Sequence, residues 1–177
     1  MSDLRWTKGR ILLLLGRIIL GGIFIYAAYA KLRPVVPGTA WSAASVKTSL
    51  LMFAFQVDSF QILSSANANL VAHWLPFFEL LLGIWLAAGV WLRVPSLITT
   101  LLLTGFMGAI IHAYVLKQEI NCGCFGPGEH VGVSTILRDS VFFLLSLAVT
   151  IGAFRMARNK PAPNAPAPST APLEPAR

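Results

Sequence analysis

Four long apolar stretches limit what this chain can become: Ile11 to about Ala30, about Leu70 to Leu92, Ser96 to Leu116, and Ile136 to Phe154. Each is close to the ~20 residues a helix needs to cross the hydrocarbon core of a bilayer. A backbone in lipid has no water to bond, so each stretch is expected to be helical. Composition agrees, with 56% of residues hydrophobic and 12% charged. Soluble domains average about 45–50% and about 25%. The expected fold is all-α, an integral membrane four-helix bundle over residues 11–155. Residues 1–10 precede it as a cytoplasmic N-terminus. Residues 156–177 follow as a tail rich in proline and alanine, which cannot bury a core and is expected to be disordered.

The first stretch has a rival reading as a cleaved signal peptide. Arg5, Lys8 and Arg10 precede it, and Ala28-Tyr29-Ala30 resembles a cleavage site. Signal peptides carry an apolar core of only about 7–15 residues. This stretch is longer and contains Arg17, which favours a retained helix whose arginine snorkels toward the inner face.

A net charge of +7 raises the question of nucleic acid. The basic residues flank apolar runs and form no stripe on a soluble surface, so no nucleic-acid partner is expected. Their placement instead sets orientation. Arg5, Lys8 and Arg10 precede the first stretch, Arg93 lies in the tight connection after the second, and Arg155, Arg158 and Lys160 follow the fourth. Four crossings put all three groups on one side, which the positive-inside rule makes cytoplasmic. Both termini are then cytoplasmic. The long segment from Lys31 to Asn69 and the loop from Lys117 to Thr135 face outward. Within the long segment, Val46 to Leu63 mixes apolar and polar positions. It reads either as an interfacial or re-entrant helix or as a loop packed on helix ends. Gly16, Gly21, Gly22, Gly105 and Gly108 fall inside apolar stretches, where small residues let helices approach closely.

The outer loop holds both cysteines, in Asn121-Cys122-Gly123-Cys124-Phe125-Gly126-Pro127-Gly128. Two thiols one residue apart can bond only in a tight ring, so their disulfide would be strained and easily reduced. Labile disulfides of this kind are the oxidising or catalytic ones. Outside the cytoplasmic membrane the surroundings permit disulfides. Spacing alone leaves three readings open: thiol–disulfide exchange, metal binding aided by His112 or His130, or incidental thiols.

A second group of residues stands out because charge is costly in lipid. Glu79 lies inside the second stretch, roughly 10 Å in at ~1.5 Å per residue. Lys31 closes the first stretch at the same end, Arg138 and Asp139 open the fourth, and His112 lies near the outer end of the third. Five ionisable groups are thus expected beneath the cysteine loop. They can raise the thiolate fraction of a cysteine or receive a quinone headgroup. They can equally be a salt-bridge lock among Lys31, Glu79 and Arg138 that holds the bundle together.

The stretches Arg17 to Arg33, Leu75 to Gly83, Asn121 to Gly126 and Leu137 to Asp139 together resemble the MauE/DoxX-like family of bacterial membrane proteins. The resemblance spans about residues 11 to 155, and its most specific element is Cys122-Gly123-Cys124-Phe125-Gly126. It implies a four-helix membrane bundle, broadly similar to the vitamin K epoxide reductase arrangement. It also implies a role in amine utilisation or disulfide handling in the inner membrane. The implied partners are a thioredoxin-like periplasmic protein and the disulfide-rich small subunit of a periplasmic amine dehydrogenase. Only Cys122 and Cys124 carry over as a redox pair. The stretch from Val36 to Leu50 is longer than the family pattern, and there is no second cysteine pair to relay electrons. Either quinone meets the Cys-Gly-Cys directly or a partner supplies the second pair.

Three functions follow as expectations. The first is a membrane thiol–disulfide oxidoreductase or maturation factor with Cys122 and Cys124 as catalytic residues. The second is a non-catalytic scaffold of a redox complex, and the third a metal-binding or small-solute transporter. The orientation common to these readings is directly measurable. In a Cys122→Ser, Cys124→Ser background, a Ser169→Cys probe should resist a membrane-impermeant maleimide in intact spheroplasts. A Gln118→Cys probe should react, and the reverse pattern would invert the topology.

Overall fold

A computed structural model describes residues 2–36, 38–118, 120 and 131–158, with side chains from residue 9 onward. Among the described residues there are five helices and no strand: α1 (Ser2–Leu32), α2 (Ala43–Ser59), α3 (Ser65–Ala88), α4 (Arg93–Val115) and α5 (Val133–Arg158). Four of them, α1 from Gly9 onward, α3, α4 and α5, are long and apolar enough to cross a membrane. Their outer faces carry Leu12, Trp74, Leu81, Leu101 and Leu144, all more than half exposed. Such a surface is suited to lipid contact.

Helix ends follow local chemistry. Pro34 cannot continue α1, which closes with Arg33 N–H donating to the Tyr29 carbonyl at 2.9 Å. The segment read as either interfacial helix or loop is helical, running from Ala43 to Ser59 rather than from Val46 to Leu63. Ser42 and Ser45 bond reciprocally in a capping box that starts it. The Ser49 hydroxyl then donates to the Arg33 carbonyl at 2.7 Å, tying α2 to the end of α1. The second apolar stretch forms α3, which starts at Ser65 and stops at Ala88. It stops early because Gly89 takes a left-handed φ of 72° and its N–H caps the Trp85 carbonyl. Arg93, expected in the connection, is the first residue of α4.

The spanning helices form a ring in the order α3, α1, α5, α4, with α2 laid against α1 and α3. Leu20, Phe24, Leu82, Leu86, Leu103 and Val149 make the buried core. The closest approach is between α1 and α3, where a Cβ on Gly21 would lie 2.7 Å from the Gly83 carbonyl oxygen. Gly16 is comparably tight against Val149 of α5. Side-chain hydroxyls join α4 to α5. Thr100 Oγ1 lies 2.9 Å from Thr150 Oγ1 and 3.3 Å from Ser146 Oγ. By contrast α3 and α4, although consecutive, pack only lightly against each other.

Gly105 and Gly108 do not serve close packing. A Cβ at either position meets nothing within 4 Å. Their side of α4 faces open space, because α3 does not come up against it. Gly83→Ala should therefore destabilise the protein by about 1–3 kcal/mol, since the new methyl must displace backbone. Gly105→Ala, with no neighbour to displace, should be neutral or stabilising by up to about 1 kcal/mol. Thermal unfolding in detergent would distinguish the two.

Candidate functional site

Lys31 sits in the last turn of α1 and Glu79 near the middle of α3. Glu79 is further along its helix than the ~10 Å expected, because α3 begins five residues before Leu70. The two side chains meet in the interior. Lys31 Nζ donates to Glu79 Oε2 at 2.9 Å and to Oε1 at 3.1 Å, with the side chains only 3% and 2% exposed. Measured from the Gly21–Gly83 contact, Lys31 is about 15 Å along α1, while Glu79 is only about 6 Å in the same direction along antiparallel α3. Side chains lean toward the N-terminus of their own helix. Lys31 therefore leans back toward the glycine contact and Glu79 leans away from it, which closes the difference. Phe53 of α2 places its ring 5.4 Å from the Lys31 ammonium, within cation–π range.

A second ion pair stands on α5. Arg138 Nε donates to Asp139 Oδ1 at 2.9 Å. Asp139 is buried and faces inward, and the Arg138 side chain is 28% exposed. Of the expected lock among Lys31, Glu79 and Arg138, the Lys31–Glu79 pair joins α1 to α3, whereas the Arg138 pair seen here is with its neighbour Asp139 within α5.

Lys31, Glu79, His112 and Asp139 all line one cavity of about 760 Å³, which Arg138 approaches through Asp139. That volume lies within the ~300–1,000 Å³ of small-molecule sites. Its remaining walls are almost wholly apolar. The residues contributed by α3 (Val71, Leu75, Glu79) and α4 (Leu103 to His112) run from near the middle of each helix toward the end distant from the Gly89 turn. His112 is exposed. Four of the five ionisable residues singled out in the sequence therefore share one site.

Cys122 and Cys124 lie outside the described residues. The described chain stops at Ile120 and resumes at Val131, and Val131 N–H donates to the Ile120 carbonyl at 2.9 Å. These two residues adjoin the ends of α4 and α5 from which His112 and Asp139 project. Sequence reasoning did not single out Phe53, or Gly105 and Gly108, as parts of this site. Nothing in a lone phenylalanine or glycine within an apolar run separates a cavity wall from a packed contact.

Residues 9–152 match the family described as Methylamine utilisation protein MauE. The chain is also 30% identical over 140 residues to the methylamine utilization protein MauE of Paracoccus denitrificans. That alignment covers 77% of this chain and 67% of the relative. No solved structure matches it.

Breaking the interior pair tests its role. Glu79→Leu or Lys31→Met alone leaves a buried charge without its partner and should cost about 3–5 kcal/mol. The double variant should cost much less than the sum. Equal, additive losses in detergent unfolding would show that the two residues do not act together.

Proposed function

Since this chain belongs to the MauE family, we propose that it serves methylamine utilisation as a membrane factor for thiol–disulfide exchange. Family membership across residues 9–152 is the observation that carries the reading. The four candidate spans support a multi-pass bacterial membrane protein in contact with the lipid bilayer.

The finer reading keeps the spanning domain at residues 11–155, with the short N-terminus and the tail in the cytoplasm. Arg10 near the start of α1, Arg93 at the start of α4, and Arg155 and Arg158 at the end of α5 share one end of an antiparallel bundle, which supports this orientation. The Cys-Gly-Cys segment then lies at the periplasmic face.

There, Cys122 and Cys124 exchange with the thiols of a maturing protein, for which the small subunit of an amine dehydrogenase is the proposed substrate. A substrate thiolate attacks the Cys122–Cys124 disulfide and releases one of the two as thiolate. A second substrate thiol resolves the mixed disulfide. The substrate loses two electrons and two protons, and the pair gains them. With no further cysteine in the chain, those electrons leave to an acceptor outside it, directly or through a thioredoxin-like partner.

The paired charges favour a second reading, a non-catalytic scaffold, because Lys31–Glu79 holds α1 to α3 whatever the cysteines do. A Cys122→Ser, Cys124→Ser variant separates the two. Exchange chemistry predicts loss of growth on methylamine and an amine dehydrogenase small subunit with unpaired thiols. Full complementation by the variant would leave the scaffold.

A further inference from the structure

The end of the bundle that holds the α3–α4 turn is electrically one-sided. Arg10, Arg17, Arg93, Arg155 and Arg158 lie there, and among the described residues no Asp or Glu side chain does. Arg17 differs from the rest, because it starts inside an apolar helix and its guanidinium is carried onto the turn. Measured from the Gly21–Gly83 contact, Arg17 is about 6 Å toward this end and Gly89 about 9 Å. Side chains lean toward the N-terminus of their own helix, so Arg17 of α1 reaches Gly89. It fits there only because Gly89 has no side chain: a Cβ at that position would collide with Arg17 Nη1 and Cζ.

The guanidinium does not cap α3. It forms no hydrogen bond among the described residues, and its Nε is buried without a partner. The carbonyls of the turn are already taken: Gly89 N–H donates to Trp85, Trp85 Nε1 to Val90, and Val94 N–H to Trp91. A partly buried cation without a counter-charge is costly, so its partner must come from outside the chain. The exposed side of the turn indicates the source. Val90 and Trp91 are 60% and 80% exposed, and Arg93 stands over the Phe154 ring at 5.8 Å. An apolar tip with tryptophan beside arginine belongs at the level of lipid headgroups rather than in water. The anion at that level is lipid phosphate. A zwitterionic lipid brings its own cation into a field of arginines with no carboxylate to receive it, whereas an anionic lipid brings none.

We infer that Arg17, seated on Gly89 at the α3–α4 turn, forms a binding site for the phosphate of an anionic phospholipid. Arg17 is only partly buried, and of its nitrogens Nε alone is buried without a partner. Nη1 and Nη2 donate to the phosphate oxygens in the planar fork that a guanidinium offers. Arg93 adds positive field, and Trp91 packs beside the glycerol and the upper acyl chains. The site goes beyond the methylamine reading, since it needs neither the cysteines nor a particular orientation in the membrane.

The test uses the purified full-length chain in detergent, titrated separately with dioleoylphosphatidylglycerol, dioleoylphosphatidylcholine and inorganic phosphate. Native mass spectrometry counts bound lipid, and thermal unfolding reads its effect. Phosphatidylglycerol should bind saturably and raise the unfolding midpoint, an effect that phosphatidylcholine and inorganic phosphate do not reproduce. Arg17→Gln should weaken that binding roughly tenfold. Its lipid-free midpoint should be unchanged or raised, because a partly buried charge without a partner has been removed. Arg158→Gln removes an equal charge from the same end of the bundle and should bind as the parent does. Equal losses in the two variants would mean diffuse attraction to a basic surface and would overturn the inference. So would parent-like binding by Arg17→Gln, or equal stabilisation by phosphatidylcholine or inorganic phosphate. A lower lipid-free midpoint in Arg17→Gln, or its failure to fold, would make Arg17 a structural residue and overturn the inference as well.

Discussion

The interior ion pair between Lys31 and Glu79 is the interaction on which the arrangement of helices turns. Neither charge can stay alone inside an apolar helix, and each removes the other's penalty only at hydrogen-bond distance. Meeting that condition fixes how α1 is rotated and slid against α3. The Gly21–Gly83 contact satisfies the same register by bringing the two backbones together farther down. The pair and the glycines therefore define one interface at two points, and the remaining helices assemble around it. α5 packs on α1 near Gly16, α4 joins α5 through Thr100, Ser146 and Thr150, and α2 lies over the pair with Phe53 beside the ammonium.

The cavity is a consequence of that order. α4 is held by α5 on one side and by a four-residue turn to α3 at one end. Among the described residues, nothing comparable to the α1–α3 contact draws α4 against the half of α3 distant from the Gly89 turn. Gly105 and Gly108 add to the effect, because they contribute no side chain to the space beside α4.

Much of this was legible in the residues. A charge inside an apolar helix is rare enough that Glu79 and Lys31 stood out individually, and topology alone predicted a common end for them, His112, Arg138 and Asp139. Other features were not legible. Gly21 and Gly105 look alike in sequence, yet one touches backbone and the other faces open space. The difference lies in the neighbour, not in the glycine. The helix from Ala43 to Ser59 was ambiguous for a related reason. Its apolar residues serve two surroundings at once, with Leu50 and Phe53 buried and Met52 and Phe55 exposed.

The sequence by itself determined that this chain has four stretches long and apolar enough to span a membrane, which of its polar residues demand an explanation, and that both of its cysteines fall one residue apart between the third and fourth of those stretches. These are local properties, set by apolar residues summed over about 20 positions and by the cost of isolated charge. Tertiary structure decided which charges pair directly, which glycines are contacts and which are walls, and where the cavity opens. Those outcomes depend on the rotation and order of neighbouring helices. Rotation and order follow from all the packing contacts taken together, so no single stretch of sequence contains them.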